Sequence, residues 1–163
     1  MSLALQNASG GNFCLSNYTL TGLSGAATTF TSIAVPISIR GAAFTRAINT
    51  AAASPTTDAV TAAAMTLVAN QARVFCFGAN AAGSNQVIAG PVAAWTDTTA
   101  LSTEVKMPSL PDTFALCATV VIKGGATTVG TWTFGSSNWN ATGIVIDTVV
   151  NRFSAPDAAI YTA

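Results

Sequence analysis

Between Thr29 and Arg40 the chain alternates. In Thr29-Phe30-Thr31-Ser32-Ile33-Ala34-Val35, and again in Ile37-Ser38-Ile39-Arg40, apolar side chains fall on every second position. A strand sends successive side chains to opposite faces, so this spacing sets one face on a core and leaves the other to Thr, Ser and Arg. Pro36 interrupts the run and cannot donate to a ladder, which predicts an edge strand or a bulged one.

The same kind of segment recurs along the chain. About eight β-branched or aromatic runs, 13–21, 28–40, 43–50, 73–78, 86–94, 114–123, 129–134 and 143–150, are separated by Thr, Ala, Gly, Asn and Ser. Arg73 to Gly78 and Gln86 to Ala89 flank a Gly/Asn/Ser loop and predict a hairpin. Phe114 to Ile122 is continuously apolar, as a strand buried on both faces would be, and Lys123-Gly124-Gly125 reads as a turn into a partner strand at Val129 to Phe134. In that partner Trp132 and Phe134 share a face and should anchor the core.

Ala51 to Asn70 is ambiguous. Its alanines favour helix and Asp58 suits an N-cap, so a short helix from Asp58 to Ala69 and a strand are equally supported. No repeat of 20 to 50 residues appears. The expected fold is all-β: one β-sandwich or jelly-roll-like domain over 13–163, preceded by an extended arm over 1–12, with at most one short helix.

Composition adds an expectation about surface. Six basic and six acidic residues in 163, with no histidine, make 7% charged residues, where an ordinary domain has roughly 25%. A compact chain of this mass exposes on the order of 7,500 Å², so large neutral patches are unavoidable. A patch of about 800 Å² would desolvate roughly one charge, where average composition would desolvate about four. Self-association is therefore the expected behaviour. Zero net charge removes the footprint nucleic-acid binding needs. No apolar stretch reaches the length of a membrane span, and the N-terminal residues carry no signal-peptide pattern, so neither a membrane partner nor secretion is expected.

Candidate chemistry is sparse. Without histidine the commonest general base is missing, and Asp58, Asp97, Glu104, Asp112, Asp147 and Asp157 are scattered among Ala, Thr, Pro and Val, so no catalytic residue is nominated. Cys14, Cys76 and Cys117 lie in separate apolar runs and read as reduced, buried small hydrophobes, with a disulfide or reactive thiol as the alternative. A His/Cys metal site is excluded, and no metal or cofactor is expected, although loops at Asp97 and Asp147 leave room for a calcium site. Lys123-Gly124-Gly125-Ala126 lacks the spacing of a phosphate cradle, and the sequons at Asn7, Asn17 and Asn140 carry no meaning without secretion.

Six residues are candidates for an interface: Leu3, Leu5, Arg40, Arg46, Trp95 and Trp139. Arg40 and Arg46 would share a strand face around Phe44, either as a solvated face or as one side of an intersubunit ion pair with Asp147 or Asp157. Trp95 and Trp139 stand beside turn residues, where each could enter an interface core or cap the domain. Leu3 and Leu5 belong to the arm, which could order on a neighbouring subunit or fray.

An N-terminal Leu-x-Leu-x-x-Asn-Ala-Ser-Gly-Gly, the hairpin on Val74-Phe75-Cys76-Phe77 with loop Asn80-Ala81-Ala82-Gly83, Leu110-Pro111 before the run Leu116 to Ile122, and a late Asn140-Ala141-Thr142-Gly143-Ile144 follow one another along the chain. This order of features resembles the small Ala/Thr/Gly-rich virion proteins of tailed bacteriophages, among them capsid cement or decoration proteins and head-fibre-like proteins. The resemblance implies a non-enzymatic β-sandwich or jelly-roll subunit, often a homotrimer, made in the host cytoplasm and seated on the outside of a major capsid protein lattice. A tail-fibre receptor- or carbohydrate-binding module, cued by Trp139 between Asn138 and Asn140, and a tail-tube or baseplate subunit are the alternatives.

Overall fold

The computed structural model describes residues 12–95 and 105–151, and these form thirteen strands with no helix. They are β1 (Phe13–Cys14), β2 (Leu20–Thr21), β3 (Thr29–Ser32), β4 (Val35–Ile39), β5 (Ala42–Arg46), β6 (Asn49–Ala53), β7 (Thr66–Leu67), β8 (Gln71–Ala79), β9 (Asn85–Ala89), β10 (Ala93–Ala94), β11 (Ala115–Gly124), β12 (Trp132–Thr133) and β13 (Ile144–Asn151). The all-β single domain expected from the alternation is what these residues build. Residues 1–11 of the N-terminal arm, with Leu3 and Leu5, lie outside the described residues, as do Asp97, Glu104 and Asp157.

An eight-stranded mixed sheet runs β10-β8-β11-β1-β4-β5, with β9 added on β8 and β13 on β11. Its centre is the antiparallel pair β8–β11, nine and ten residues long. One edge of β11 is covered by β8, the other first by β1, in parallel at Phe13↔Leu116, and then by β13 from Ala118 to Gly124. Two small sheets, β2-β3-β6 and β7-β12, complete the fold.

Alternation along β8 sorts the core. Phe75 and Phe77 point into the main cluster, where Phe77 meets Phe30 of β3 edge to face at 5.0 Å and Phe75 meets Trp132 of β12 at 6.2 Å, so the small sheets cover this face. Val74 and Cys76 point the other way, into a second cluster with Ile88 and Phe114. On β11 a bulge between Leu116 and Ala118 shifts the phase, which lets Ala115 and Cys117 before it and Ala118, Val120 and Ile122 after it all face the main cluster. Gly78 sits opposite Leu116, and a Cβ there would overlap the carbonyl oxygen of Ala115; only glycine admits so close an approach.

The hairpin of β8 and β9 forms as expected, paired from Phe75↔Ala89 to Ala79↔Asn85. Trp132 and Phe134 are both buried in the main cluster. Three expectations are corrected. The helix from Asp58 to Ala69 is absent: Asp58 Oδ1 takes the N–H groups of Val60 and Thr61 as a cap would, but Ala62 turns to φ 56° and a bridge at Thr57↔Ala64 sends the chain back after one turn. Pro36 is not on an edge strand and makes no bulge, because β4 lies between β1 and β5 with an unbroken register. Its carbonyl accepts from Leu15, so the N–H it lacks would face the side where β1 has already ended. Finally, Lys123-Gly124-Gly125 does not turn β11 into a hairpin with 129–134. Both edges of β11 are occupied, and β12 crosses away to pair with β7.

Candidate functional site

Arg40 and Arg46 do not share a solvated strand face. Arg40 and Gly41 form the two-residue turn between β4 and β5, both at positive φ (51° and 79°), the primed geometry that matches strand twist. The Arg40 guanidinium reaches across the surface to Asp112 at 2.6 Å, with both side chains largely exposed. Of the carboxylates expected across a subunit boundary, Asp147 pairs with Lys123 of its own chain at 3.2 Å, and Asp157 lies outside the described residues.

Arg46 is instead wholly buried. It stands opposite Val35 of β4 on the core side of the sheet, one row along from Cys14, Ile37 and Phe44. Nη1 donates to Ser32 Oγ at 2.7 Å and to the carbonyls of Ala47 (3.2 Å) and Ile33 (3.4 Å), and the guanidinium carbon lies 4.8 Å from the centre of the Tyr18 ring. Among the described residues no carboxylate pairs with it, and Nε and Nη2 have no hydrogen-bond acceptor. A buried guanidinium lacking a counter-ion favours any neighbouring group able to carry negative charge.

The groups it faces are Tyr18, Cys14 and Cys117. Burial, against the pull of the Arg46 charge, pushes the Tyr18 phenol up to about 12. Cys14 and Cys117 each follow directly on the parallel bridge Phe13↔Leu116, both are buried in the main cluster, and their thiols donate to backbone carbonyls, Cys14 to Ser16 O (3.0 Å) and Cys117 to Ala115 O (3.6 Å). The neighbouring Cys117 thiol, with help from the Ser16 backbone and the Arg46 charge and against burial, draws Cys14 below the ordinary thiol range. The neighbouring Cys14 thiol, then burial, pushes Cys117 well above the ordinary thiol range. Sequence spacing could not find this pair, since Cys14 and Cys117 meet only through the β1–β11 pairing.

The two tryptophans belong to the domain's own packing. Trp139 is 2% exposed, lies tilted against Trp132 (5.7 Å) and edge to face with Phe134 (5.3 Å), and donates its indole N–H to Thr29 O at 2.7 Å. That is the capping role, not an outward-facing one. Trp95 is 7% exposed, with Lys123 Nζ 4.8 Å above its ring. Their place beside turns left each open between an interface core and a cap on the domain, because the packing that covers them comes from residues distant in sequence.

A different feature does face outward. β13 pairs with β11 along one side only, and among the described residues its other edge has no strand partner. Val145, Val149 and Val150 are exposed at 46%, 41% and 37%. The one charge on the strand, Asp147, sits at a register break and is drawn to Lys123. Natural edge strands usually carry charges, prolines or covers that discourage pairing, and β13 has little of this protection.

Among the described residues no group of three or more His, Cys, Asp or Glu is placed to hold a metal ion. The chain matches no protein-family model, no curated protein and no solved structure.

Proposed function

We propose that this protein is a non-enzymatic structural subunit of a tailed-phage virion, most specifically a capsid cement or decoration protein that stabilises the head through contacts with its own copies and with the major capsid protein. The observation that carries the reading is the eight-residue edge of β13, apolar and nearly uncharged on a chain with only 7% charged residues. Strand edges and neutral faces are what a lattice subunit buries many times over, and weak unit contacts gain strength through multivalency. A homotrimer on the capsid exterior is the assembly this reading favours.

The carbohydrate-binding alternative loses its cue. Trp139 offers no exposed ring on which a sugar could stack, because its indole is committed to Thr29 and to the aromatic core.

The test is to add the purified chain to particles lacking their cement protein. Stoichiometric binding to heads with a gain in heat resistance supports the proposal; binding confined to tails overturns it.

A further inference from the structure

We propose that Cys14 and Cys117 are an oxidisable pair whose disulfide clamps the short strand β1 to the central strand β11. The geometry is favourable. Neighbouring strands lie about 4.8 Å apart, inside the Cα separation a disulfide spans. Both residues follow directly on the parallel bridge Phe13↔Leu116, Cys117 at the β11 bulge, and both side chains enter the main core cluster on the same face of the sheet. Both are unbridged, and each thiol is held by nothing stronger than a contact with a nearby backbone carbonyl, Ser16 O for Cys14 and Ala115 O for Cys117.

The surroundings favour reaction at Cys14 first. Arg46 supplies a buried positive charge with two unanswered donors, which stabilises a thiolate nearby. Tyr18, the other titratable group facing the pair, stays protonated at neutral pH and adds no competing charge. Access requires only local opening, because β1 is two residues long and is tied to its neighbours through Phe13, Cys14 and the Leu15 N–H on Pro36 O.

With a small-molecule disulfide such as oxidised glutathione as oxidant, the Cys14 thiolate attacks one of its sulfurs. The reagent's S–S bond breaks, one thiolate leaves, and a mixed disulfide remains on Cys14. Cys117, on losing its proton, attacks Cys14 Sγ and expels the second thiolate. Two protein thiols are thus oxidised by two electrons, and the reagent is reduced to two thiols that carry away the two protons. The third thiol, Cys76, is buried in the opposite cluster and is an internal control.

The experiment refolds the full chain in a buffer dominated by oxidised glutathione, quenches with acid, and reads intact mass before and after alkylation under denaturing conditions. The expected product is lighter by two hydrogens, keeps one alkylatable thiol, and yields a peptide linking Cys14 to Cys117. Because the bond closes a long loop, the oxidised chain should melt higher, by a shift on the order of 10 °C. Cys76→Ser should oxidise as the parent does, and Cys117→Ser should trap glutathione on Cys14. Three alkylatable thiols after refolding, a glutathione adduct retained on Cys14 of the parent chain, or a link through Cys76 would each overturn the proposal. If a serine variant fails to fold, the parent chain's mass and peptide map decide alone.

Discussion

The carboxylate of Asp58 accepts the backbone N–H of Ala89, thirty-one residues further along, at 2.7 Å. Its other oxygen takes the N–H groups of Val60 (2.9 Å) and Thr61 (2.8 Å) and the Thr61 hydroxyl (3.1 Å). One buried side chain therefore closes the 58–64 turn and fastens it to β9. An aspartate that looks like a helix cap in sequence serves here as a staple between a loop and a sheet.

That arrangement predicts an acid-sensitive joint. Burial disfavours the charged carboxylate, but the hydrogen bonds, led by the one from Ala89, outweigh it and hold Asp58 below the ordinary aspartate range. The stabilisation is fully present above the unfolded-state value of about 4 and disappears as pH falls through the lower folded-state value. Asp58→Ala should cost about 3 kcal/mol at neutral pH, since it strands buried donors. Urea denaturation of parent and variant should show the gap closing in acid; a gap independent of pH would contradict the staple.

Arg46 predicts a second asymmetry. A lysine at this position would bury a more strongly hydrated charge and could not lay a planar guanidinium on Tyr18. Arg46→Lys should destabilise by about 2 kcal/mol at pH 7. Because burial depresses a lysine's pKa, the variant can shed its proton in the folded state as pH rises, so its deficit should shrink toward pH 10. Chemical denaturation at pH 7 and 9 checks this, and an unchanged deficit would mean that the site is wetter than its packing indicates.

At the centre of the large sheet the close approach of β8 to the β11 bulge leaves no room for a methyl group on Gly78. Gly78→Ala should therefore cost about 3 kcal/mol, the upper end for overpacking, by forcing the two longest strands apart. The melting temperature is the readout. A loss below about 0.5 kcal/mol, the ordinary surface range, would show that the bulge can shift freely.

What could be read in advance, and what could not, divides along physical lines. The β8–β9 hairpin and the Trp132/Phe134 anchor follow from local alternation and a turn-rich loop, so they were legible. The stretch from Ala51 to Asn70 was not. Its alanines favour helix by propensity, but the contact of Asp58 with Ala89 lies outside any local window and wins. β12 was misassigned because the decisive fact, that both edges of β11 are already taken, belongs to the whole sheet. Arg46 gave a partial signal: it shares parity with Phe44, which packs on the core, yet a charged residue on a core face goes against expectation. The Cys14–Cys117 pair needed the β1–β11 register and left no trace in spacing.

The edge of β13 carries the prediction closest to function. If copies of the chain associate along it, placing charge on that strand should dissociate them without harming the fold, because the affected side chains are exposed and make little of the core. Val145→Lys with Val149→Lys is the appropriate double variant, since Lys is the residue natural edges use to prevent pairing. Its effect on folding stability should stay within about 0.5 kcal/mol per site, as for ordinary surface changes. Sedimentation of the parent chain should show an assembled species and that of the variant a smaller one, with similar thermal unfolding of the protomer at low concentration. Equal assembly in both would clear β13 of the role and move the search to the most exposed of the other apolar positions, Ile48, Val60 and Val129. A parent chain that remains monomeric at high concentration and binds no particle would remove the structural-subunit reading itself.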